Sequence, residues 1–256
     1  MGSLYDRADI YDLFEDDARY QAYKKHWQTI FEGKNVHTML DVSIGSGSVT
    51  LPVVELGIEL SGSDLSETML DKCRKKAKHN IELKCSDFRD LSCWGNNKFD
   101  VVASSGNSLA YVNNSDVLRT LEQMDSHVNS GGYLYFDSRN WDKVIAEHKR
   151  FYFYDPLFDG DNRVNVMQIW DYNNDGSITF NIVYSFEKDN HIFQKEIFEE
   201  HYNPISKDVL IDKLVSMSYT QIELNCFPAY FPKVEFEKVE WFSVIAKKEK
   251  RPHAQT

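Results

Sequence analysis

An apolar run from Met39 to Ile44 ends in a glycine-rich turn, Gly45-Ser46-Gly47, and this is the feature that most constrains the fold. The segment that follows, Ser48 to Leu56, can open a helix. A strand, a glycine turn and a helix in this order are typical of the first unit of a nucleotide-binding α/β fold. Glycine lets the backbone approach a ligand more closely than a side chain would allow. We therefore expect a nucleotide-like ligand at this turn.

Two acidic residues lie close to the turn in the predicted fold. Asp64 ends a second apolar run, and its carboxylate can accept both hydroxyl protons of a ribose. The alternative is that Asp64 caps the next helix, although Ser66 is better placed to do so. Asp41 puts a carboxylate beside the loop, where a cationic ligand group can sit. Because the third glycine of G-x-G-x-x-G is missing, a ligand with a ribose, a base and a positive charge but no pyrophosphate fits better than NAD.

Short strands alternate with helical patterns up to residue 137. The pattern predicts strands at 37–43, 58–63, 81–86, 100–104 and 132–137, and helices at 48–56, 66–78 and 116–128. Two further helices are predicted ahead of the first strand. This alternation predicts a mostly parallel, doubly wound sheet.

The pattern changes after Trp141. Extended segments are predicted at 151–154, 163–171, 177–187 and 191–202, with hairpin turns at 173–176 and 188–190. A helix at 208–216 and two strands at 220–225 and 239–247 then return to the edge of the first sheet. We expect an antiparallel β insertion in an α/β fold.

Composition excludes several classes of function. The chain has 29 Lys+Arg against 40 Asp+Glu, a formal net charge of -11, which would repel a phosphate backbone. The four cysteines show no C-x-x-C spacing and no neighbouring histidine cluster, so neither a metal site nor a disulfide framework is expected. No apolar segment is long enough to span a membrane, and no signal-peptide core is present. We expect a cytoplasmic protein with neither nucleic acid nor membrane as its partner.

Four ordered motifs resemble those of the class I methyltransferases that depend on S-adenosylmethionine (SAM). The glycine loop matches their first motif over Leu40 to Gly47, and Asp64 matches their ribose-binding acid. Asp87 in Cys85-Ser86-Asp87-Phe88 matches their adenine-binding acid, and Phe99 to Val102 matches their fourth motif. One departure is Ser43, where many members carry glycine. The resemblance implies a Rossmann-like class I methyltransferase sheet, preceded by N-terminal helices and carrying the β insertion.

A narrower resemblance is to the glycine N-methyltransferase group, which also methylates sarcosine. Ser105 to Tyr111 and Asp137 to Trp141 are similar to the group's G-N-S-F-A-H and D-H-R-N-Y-D stretches. These matches imply that Arg139 binds an amino-acid carboxylate and that Asn107 faces the substrate. The match of Arg19 to Lys24 implies that Arg19 pairs with the SAM carboxylate. Tyr111 stands where the group has histidine, so the identity of the methyl acceptor is left open.

The resemblance implies one set of residues for each ligand. The cofactor-binding set is Arg19, Asp41, Ser43, Gly45, Gly47, Asp64, Leu65, Met69, Asp87, Phe88 and Ser105, and the acceptor-side set is Asn107, Tyr111 and Arg139. It also implies a helical segment or lid at 1–36, a SAM-binding core at 37–144, a substrate-side insertion at 145–204, a return to the core at 205–248 and a tail at 249–256. The expected cofactor is SAM, with no metal.

Other interpretations of these residues remain open at this stage. Arg139 could pair with Asp137 or Asp142, Asn107 could be a turn residue, and Asp87 and Arg19 could be a loop acid and an exposed helix charge. The expected activity is N-methylation of a small amino acid such as glycine or sarcosine. The alternatives are a methyltransferase for another small metabolite, at nitrogen or oxygen, and a SAM-binding module without turnover. An NAD-dependent reductase is a more distant alternative, and a homo-oligomer is left open.

Overall fold

The computed structural model describes residues 4, 7, 10, 12–229 and 235–249. The α-helices in this part of the chain are α1 Asp17–Phe31, α2 Glu67–Lys76, α3 Asn114–His127, α4 Trp141–Glu147 and α5 Lys207–Ser216. Shorter 3₁₀ helices cover Asp12–Phe14, Leu51–Leu56, Ser92–Trp94, Ser108–Tyr111 and Phe236–Lys238. None of the described helices combines the length and the apolar character needed to cross a membrane.

The first sheet has seven strands, numbered here along the chain. They are β1 Thr38–Asp41, β2 Glu59–Asp64, β3 Glu82–Cys85, β4 Phe99–Ser104, β5 Val128–Arg139, β11 Tyr219–Cys226 and β12 Trp241–Lys248. Their order is β11-β12-β5-β4-β1-β2-β3; β1 to β5 are parallel, and β12 pairs antiparallel with both β5 and β11. The predicted Rossmann-like α/β sheet is confirmed. It brings the carboxyl ends of β1, β2, β4 and β5 to one edge, where open α/β sheets bind ligands.

The second sheet is entirely antiparallel and confirms the predicted β insertion. Its strands are β6 Phe151–Phe153, β7 Leu157–Asp159, β8 Asn162–Tyr172, β9 Ile178–Lys188 and β10 His191–Tyr202. The order is β10-β9-β8, and β6 and β7 both pair with β8. The turn between β9 and β10 holds Asp189 and Asn190 at φ 50° and 62°, as a two-residue type I′ hairpin requires.

Buried apolar residues fill both faces of the first sheet and one face of the second. Alternation along β1 and β4 sends Leu40 and Val102 into one cluster and Met39 and Val101 into another. A third cluster, which includes Trp170, lies against the inner face of the second sheet. The second sheet therefore has an inner face that packs on the rest of the molecule and an outer face that does not.

Three elements differ from the sequence-based expectation. The predicted helix at 48–56 is a 3₁₀ helix, Leu51–Leu56, in which Pro52 lacks an N–H and β-branched Val53 and Val54 disfavour an α-helix. Helix α4 was not predicted, although Asn140 caps it by accepting a hydrogen bond from the Lys143 N–H. In the first predicted N-terminal helix, residues 5, 6, 8, 9 and 11 lie outside the described residues, and Asp12–Phe14 is a 3₁₀ helix.

Candidate active site

The glycine loop after β1 is a close-packed turn. Gly45 and Gly47 have φ of 54° and 83°, a conformation that L side chains rarely adopt. A Cβ atom on Gly47 would lie 2.6 Å from a Leu51 side-chain atom and 2.8 Å from the Cys73 sulfur. Both the backbone conformation and the space around it therefore require glycine at position 47.

Asp64, at the carboxyl end of β2, ties the loop to the second strand. One carboxylate oxygen accepts the Gly45 N–H at 2.9 Å, and the other accepts the Ser66 N–H at 2.9 Å. The Ser66 hydroxyl caps helix α2 by accepting from the Met69 N–H. Burial raises the pKa of Asp64 above its ordinary value, and the backbone donors partly offset that rise. A carboxylate has about four acceptor positions, so two remain for the hydroxyls of a ribose.

Asp41 lies beneath the loop and is fully buried. It accepts hydrogen bonds from the Ser105 hydroxyl at 2.6 Å and the Ser43 N–H at 3.0 Å. The Ser43 hydroxyl also lies 3.0 Å from the Ser104 hydroxyl and donates to the Ser105 carbonyl. Burial raises the pKa of Asp41 to about 6. These hydrogen bonds join the tips of β1 and β4, so Asp41 positions the loop beside which a ligand cation was expected.

The residues expected near an adenine lie around the ends of β2 and β3. Leu65 is 71% exposed and Phe88 is half-buried, whereas Met69 is buried under the loop. Asp87 accepts hydrogen bonds from the Arg89 guanidinium at 2.5 to 3.0 Å, and these hydrogen bonds lower its pKa. The buried position of Met69 favours a packing role, since its side chain faces the space beside Gly45.

A cavity of about 580 Å³ separates the first sheet from the inner face of the second. Its walls come from the glycine loop, the N-terminal segment, the tips of β4 and β5 and the second sheet. Of the predicted site residues, the cavity brings together Arg19, Tyr111 and Arg139. Asn107 does not line the cavity, although its neighbour Gly106 does. Arg19 is the only member of the predicted cofactor set among the described lining residues, so most of that set lies beside the cavity.

Arg139 is the last residue of β5, and it is only 8% exposed. Its guanidinium carbon lies 5.2 to 5.9 Å from four ring centroids, those of Tyr152, Trp170, Phe180 and Trp241. Cation–π attraction to the rings holds the guanidinium in place. No ion pair joins Arg139 to any carboxylate of the described residues. The two alternative partners are engaged elsewhere: Asp137 with groups of the β4 and β12 regions, and Asp142 with the Lys207 N–H.

Asn107 and Asp137 position Arg139, and sequence reasoning missed Asp137. Asn107 is left-handed at φ 61°, and its side-chain oxygen accepts the Arg139 N–H at 3.0 Å. Asp137 is fully buried and accepts from the N–H groups of Gly106 and Asn107 and from the Trp241 indole, all within 3.0 to 3.1 Å. Burial raises its pKa to about 7. The signal that could have found Asp137 was its place at the end of an apolar strand.

The acceptor side of the cavity carries tyrosine hydroxyls and a carboxylate. The hydroxyls of Tyr111 and Tyr202 lie 2.8 Å apart, and burial raises the pKa of Tyr202. Glu200 is 5% exposed, lines the cavity and accepts the Leu4 N–H at 2.8 Å. Glu200 stands directly across the strand pair from Phe180, one of the rings beside Arg139. No sequence motif pointed to this glutamate.

The N-terminal segment reaches over the glycine loop. The Glu15 carboxylate accepts from Lys76 Nζ at 2.5 Å, from Ser46 at 3.3 Å and from the Ser48 hydroxyl. Arg19 lines the cavity and donates to the Phe14 carbonyl at 3.0 Å. Arg19 is therefore near the loop, as expected, although its described hydrogen bonds go to its own segment. Glu15 was not predicted.

These residues fit SAM by their chemistry. The space beside Gly45 is open, since a Cβ there would meet no atom closer than 3.8 Å. Asp64 offers acceptors for a diol, and exposed Leu65 offers an apolar surface for a base. The cavity continues from Ser48 and Val49 of the loop to Arg139. Among the described residues, no cluster of three or more His, Cys, Asp or Glu is arranged to hold a metal ion.

Comparison with known proteins agrees with this geometry. The family described as "Methyltransferase domain" matches residues 39–132, which include the glycine loop, Asp64 and Asp87. The glycine/sarcosine/dimethylglycine N-methyltransferase of Actinopolyspora halophila is 25% identical over 162 residues, covering 60% of this chain and 28% of that protein. The matched region spans between 28% and 56% of the length of the first curated relatives.

Solved structures show the same fold over nearly the whole chain. A SAM-dependent methyltransferase from Clostridium acetobutylicum has a TM-score of 0.76 at 19% identity, covering 95% of this chain and 98% of that one. The sugar N-methyltransferase KedS8 from Streptoalloteichus has a TM-score of 0.70 at 16% identity, covering 97% and 94%. This chain therefore has the class I methyltransferase fold, matches the methyltransferase-domain family over residues 39–132, and resembles the glycine/sarcosine N-methyltransferase group at low identity.

Proposed function

We propose that this protein transfers a methyl group from SAM to the nitrogen of a small amino acid such as glycine or sarcosine. The observation that carries the proposal is Arg139, a buried guanidinium at the cavity wall with no ion-pair partner among the described carboxylates. Leaving such a cation without an anion is costly, whereas a planar carboxylate can bind it through two parallel hydrogen bonds. The low-identity relatives whose names include glycine and sarcosine support the same acceptor.

The cofactor would lie across the ends of β1 and β2. Asp64 would hold the ribose hydroxyls, Asp87 and the apolar pair Leu65 and Phe88 would contact the base, and Arg19 would face the carboxylate end. SAM supplies a methyl group on a positively charged sulfur, already activated for transfer. Asp41 and Ser43 keep the loop that receives it in a single conformation by bonding the tips of β1 and β4.

The acceptor would lie between β5 and the second sheet. Arg139 would anchor its carboxylate, and Asn107 would fix Arg139 through the backbone hydrogen bond. An amine reacts only as the neutral form, so an ammonium acceptor must first lose a proton. Glu200, buried on the same cavity, is a carboxylate that could receive it. Most of the barrier lowering would come from orientation, which can supply several kcal/mol.

A second candidate is a larger amine such as an amino sugar. The cavity of about 580 Å³ is within the range of roughly 300–1,000 Å³ that is typical of sites for drug-sized ligands. It is lined by several tyrosines, including Tyr152, Tyr154 and Tyr184, whose hydroxyls could bind sugar oxygens. The likeness to the sugar N-methyltransferase KedS8 is a likeness of fold.

The test is transfer of labelled methyl from SAM to glycine, sarcosine and an amino sugar, with Arg139→Ala alongside. We expect transfer to an amino acid and a loss of about 100-fold in kcat/KM in the variant, because an ion pair with two hydrogen bonds disappears. The matched control is Arg150→Ala, since Arg150 is exposed and paired with Asp171 outside the cavity. Transfer to the amino acid that is unaffected by Arg139→Ala would overturn the proposal. Transfer to the amino sugar alone would favour the second candidate.

A further inference from the structure

The outer face of the second sheet is more apolar than a solvated sheet face needs to be. Even-numbered residues of β8, such as Val166 and Trp170, are buried on the inner face, so the odd-numbered residues point outward. Antiparallel sheets with one solvated face normally place polar residues there. Here polar residues occupy the two ends of the strands, but large apolar side chains cross the middle of the face, and this apolar region marks a contact surface.

One row of apolar residues runs across this face through the four adjacent strands β6, β8, β9 and β10. The cross-strand partners are Phe153 with Met167, Met167 with Val183, and Val183 with Ile197. Phe153 is 70% exposed and Ile197 is 45% exposed, while the two central residues are half-buried. We call these four residues the outer band.

Further exposed aromatic residues widen the outer band. Phe151 stacks beside Phe153 with ring centroids 6.5 Å apart and is 50% exposed. Phe158 on β7 is 74% exposed and pairs with Arg163, which places it on the same face. The apolar surface therefore extends along the strands on both sides of the row.

We propose that a second copy of this chain covers the outer band, through face-to-face packing of the two second sheets about a twofold axis that runs along the band. Two charged residues on β10 favour a second copy of this chain as the partner. Lys195 and Glu199 lie on the outer face, two residues to either side of Ile197. A twofold axis along the band places Ile197 over its counterpart and turns each Lys195 toward the partner copy's Glu199 position. The face is thus complementary to itself, as an isologous interface requires.

The size of the face is right for a stable dimer. Strands β8, β9 and β10, with 11 or 12 residues each, cover roughly 14 Å by 37 Å, and the three-residue strands β6 and β7 add about 100 Å² at the fourth position. The resulting area of roughly 600 Å² per partner reaches the lower limit of about 1,200 Å² in total for a standard interface. Packed sheets cross at about 30°, and this angle separates Lys195 from the Glu199 position of the second copy by only a few Å. A lysine side chain can bridge that distance.

Glu199 remains available for such a pair. Its carboxylate lies 3.0 Å from the His201 ring nitrogen, and both side chains are open to solvent, at 39% and 63% exposure. A carboxylate can accept a lysine N–H in addition to that contact. The inner face, with Arg139 and the cavity, stays free of the partner, so association and methyl transfer can be tested separately.

The test is sedimentation velocity of the full chain at about 1–50 μM, with charge-reversal variants. We expect a wild-type dimer, and dissociation constants raised by at least about tenfold in Lys195→Glu and in Glu199→Lys, because each variant places like charges opposite each other. The double variant Lys195→Glu/Glu199→Lys should recover the wild-type constant. Ile197→Asp should be monomeric, whereas Val215→Asp, at a still more exposed site on α5, should remain a dimer.

Each other outcome overturns the inference. A monomeric wild type at 50 μM would show that the band has no second copy to bind. A dimer that survives Ile197→Asp would place the interface elsewhere. A dimer that Ile197→Asp breaks but that single charge reversals leave intact, or that the double variant fails to restore, would rule out the twofold arrangement. A thermal shift with S-adenosylhomocysteine in every variant shows that the cofactor side is still folded.

Discussion

The parallel sheet and the antiparallel sheet supply different kinds of groups to the two neighbouring regions of the candidate site. At the ends of β1 and β2 the binding groups are backbone N–H groups, glycines and a strand-end carboxylate, all within a short stretch of chain. The second sheet contributes rings from separate strands, such as Tyr152, Trp170 and Phe180, which surround an arginine supplied by β5. A local sequence pattern describes the first construction, whereas the second depends on how two sheets meet.

This difference indicates that the two sheets contribute differently to the proposed function, one to cofactor binding and the other to acceptor binding. The parallel sheet presents a loop whose shape is set by φ angles and close packing, so it suits one cofactor. The antiparallel sheet presents side chains whose identity can vary without loss of the strand pattern, so in the proposed function it is the part that would select the acceptor.

The largest effect is expected from Gly47→Ala, which would break the cofactor side alone. The added methyl would lie 2.6 Å from Leu51 and 2.8 Å from the Cys73 sulfur, in a left-handed backbone conformation. We expect the free energy of unfolding to fall by roughly 3 kcal/mol or more and the thermal shift with S-adenosylhomocysteine to disappear. Differential scanning fluorimetry with and without the ligand measures both.

A matched control for that variant is Gly57→Ala. Gly57 has φ 80°, close to that of Gly47, but a Cβ there would meet nothing within 4 Å. It should cost about 1 kcal/mol from backbone strain alone and leave the ligand shift intact. Equal losses in the two variants would contradict the argument that close packing around Gly47 shapes the loop.

A smaller effect, on the pH dependence of unfolding, is expected at Asp137, which lies where the two sheets meet. Burial raises its pKa to about 7, against an ordinary value of 3.8, so the folded protein holds a proton that the unfolded chain has released. The free energy of unfolding should therefore decrease as the pH rises from about 4 to 7. Asp137→Asn should remove roughly 1–3 kcal/mol of that decrease, because the neutral amide does not titrate.

Asn is a suitable replacement because the N–H groups of Gly106 and Asn107 and the Trp241 indole all reach the same oxygen of Asp137. An amide oxygen in that place can keep all three hydrogen bonds. Urea unfolding at several pH values gives the slope for each protein. An identical pH dependence in wild type and variant would mean that Asp137 is ionised across this range.

Much of the cofactor side could be predicted from the sequence, because its determinants are local. The run from Leu40 to Gly47 and the spacing to Asp64 predicted a loop and a carboxylate that the structure brings to within 2.9 Å of each other. The alternating pattern of β8 to β10 likewise predicted the strands of the second sheet. In both cases neighbours in sequence are neighbours in space.

The rest could not be predicted, because it depends on contacts between distant segments. Asp41 was expected beside the loop, but no sequence signal pointed to its hydrogen bonds with Ser43 and Ser105, which join the tips of β1 and β4. Glu15 and Glu200 gave no pattern in sequence, and their place in the cavity follows from the packing of the N-terminal segment and β10. The ring cage of Arg139 likewise joins residues up to 102 positions apart, from Arg139 to Trp241.

The central claim is that the cofactor is held on the parallel sheet and the acceptor between β5 and the second sheet. The most direct test measures, in Asp64→Asn and Arg139→Lys, the dissociation constant for S-adenosylhomocysteine and the KM for glycine or sarcosine. We predict that Asp64→Asn raises only the dissociation constant, by about tenfold or more, because a charged acceptor is lost. Arg139→Lys should raise only the acceptor KM, because a lysine lacks the planar fork that binds a carboxylate. The account is contradicted if either variant alters both constants to the same degree.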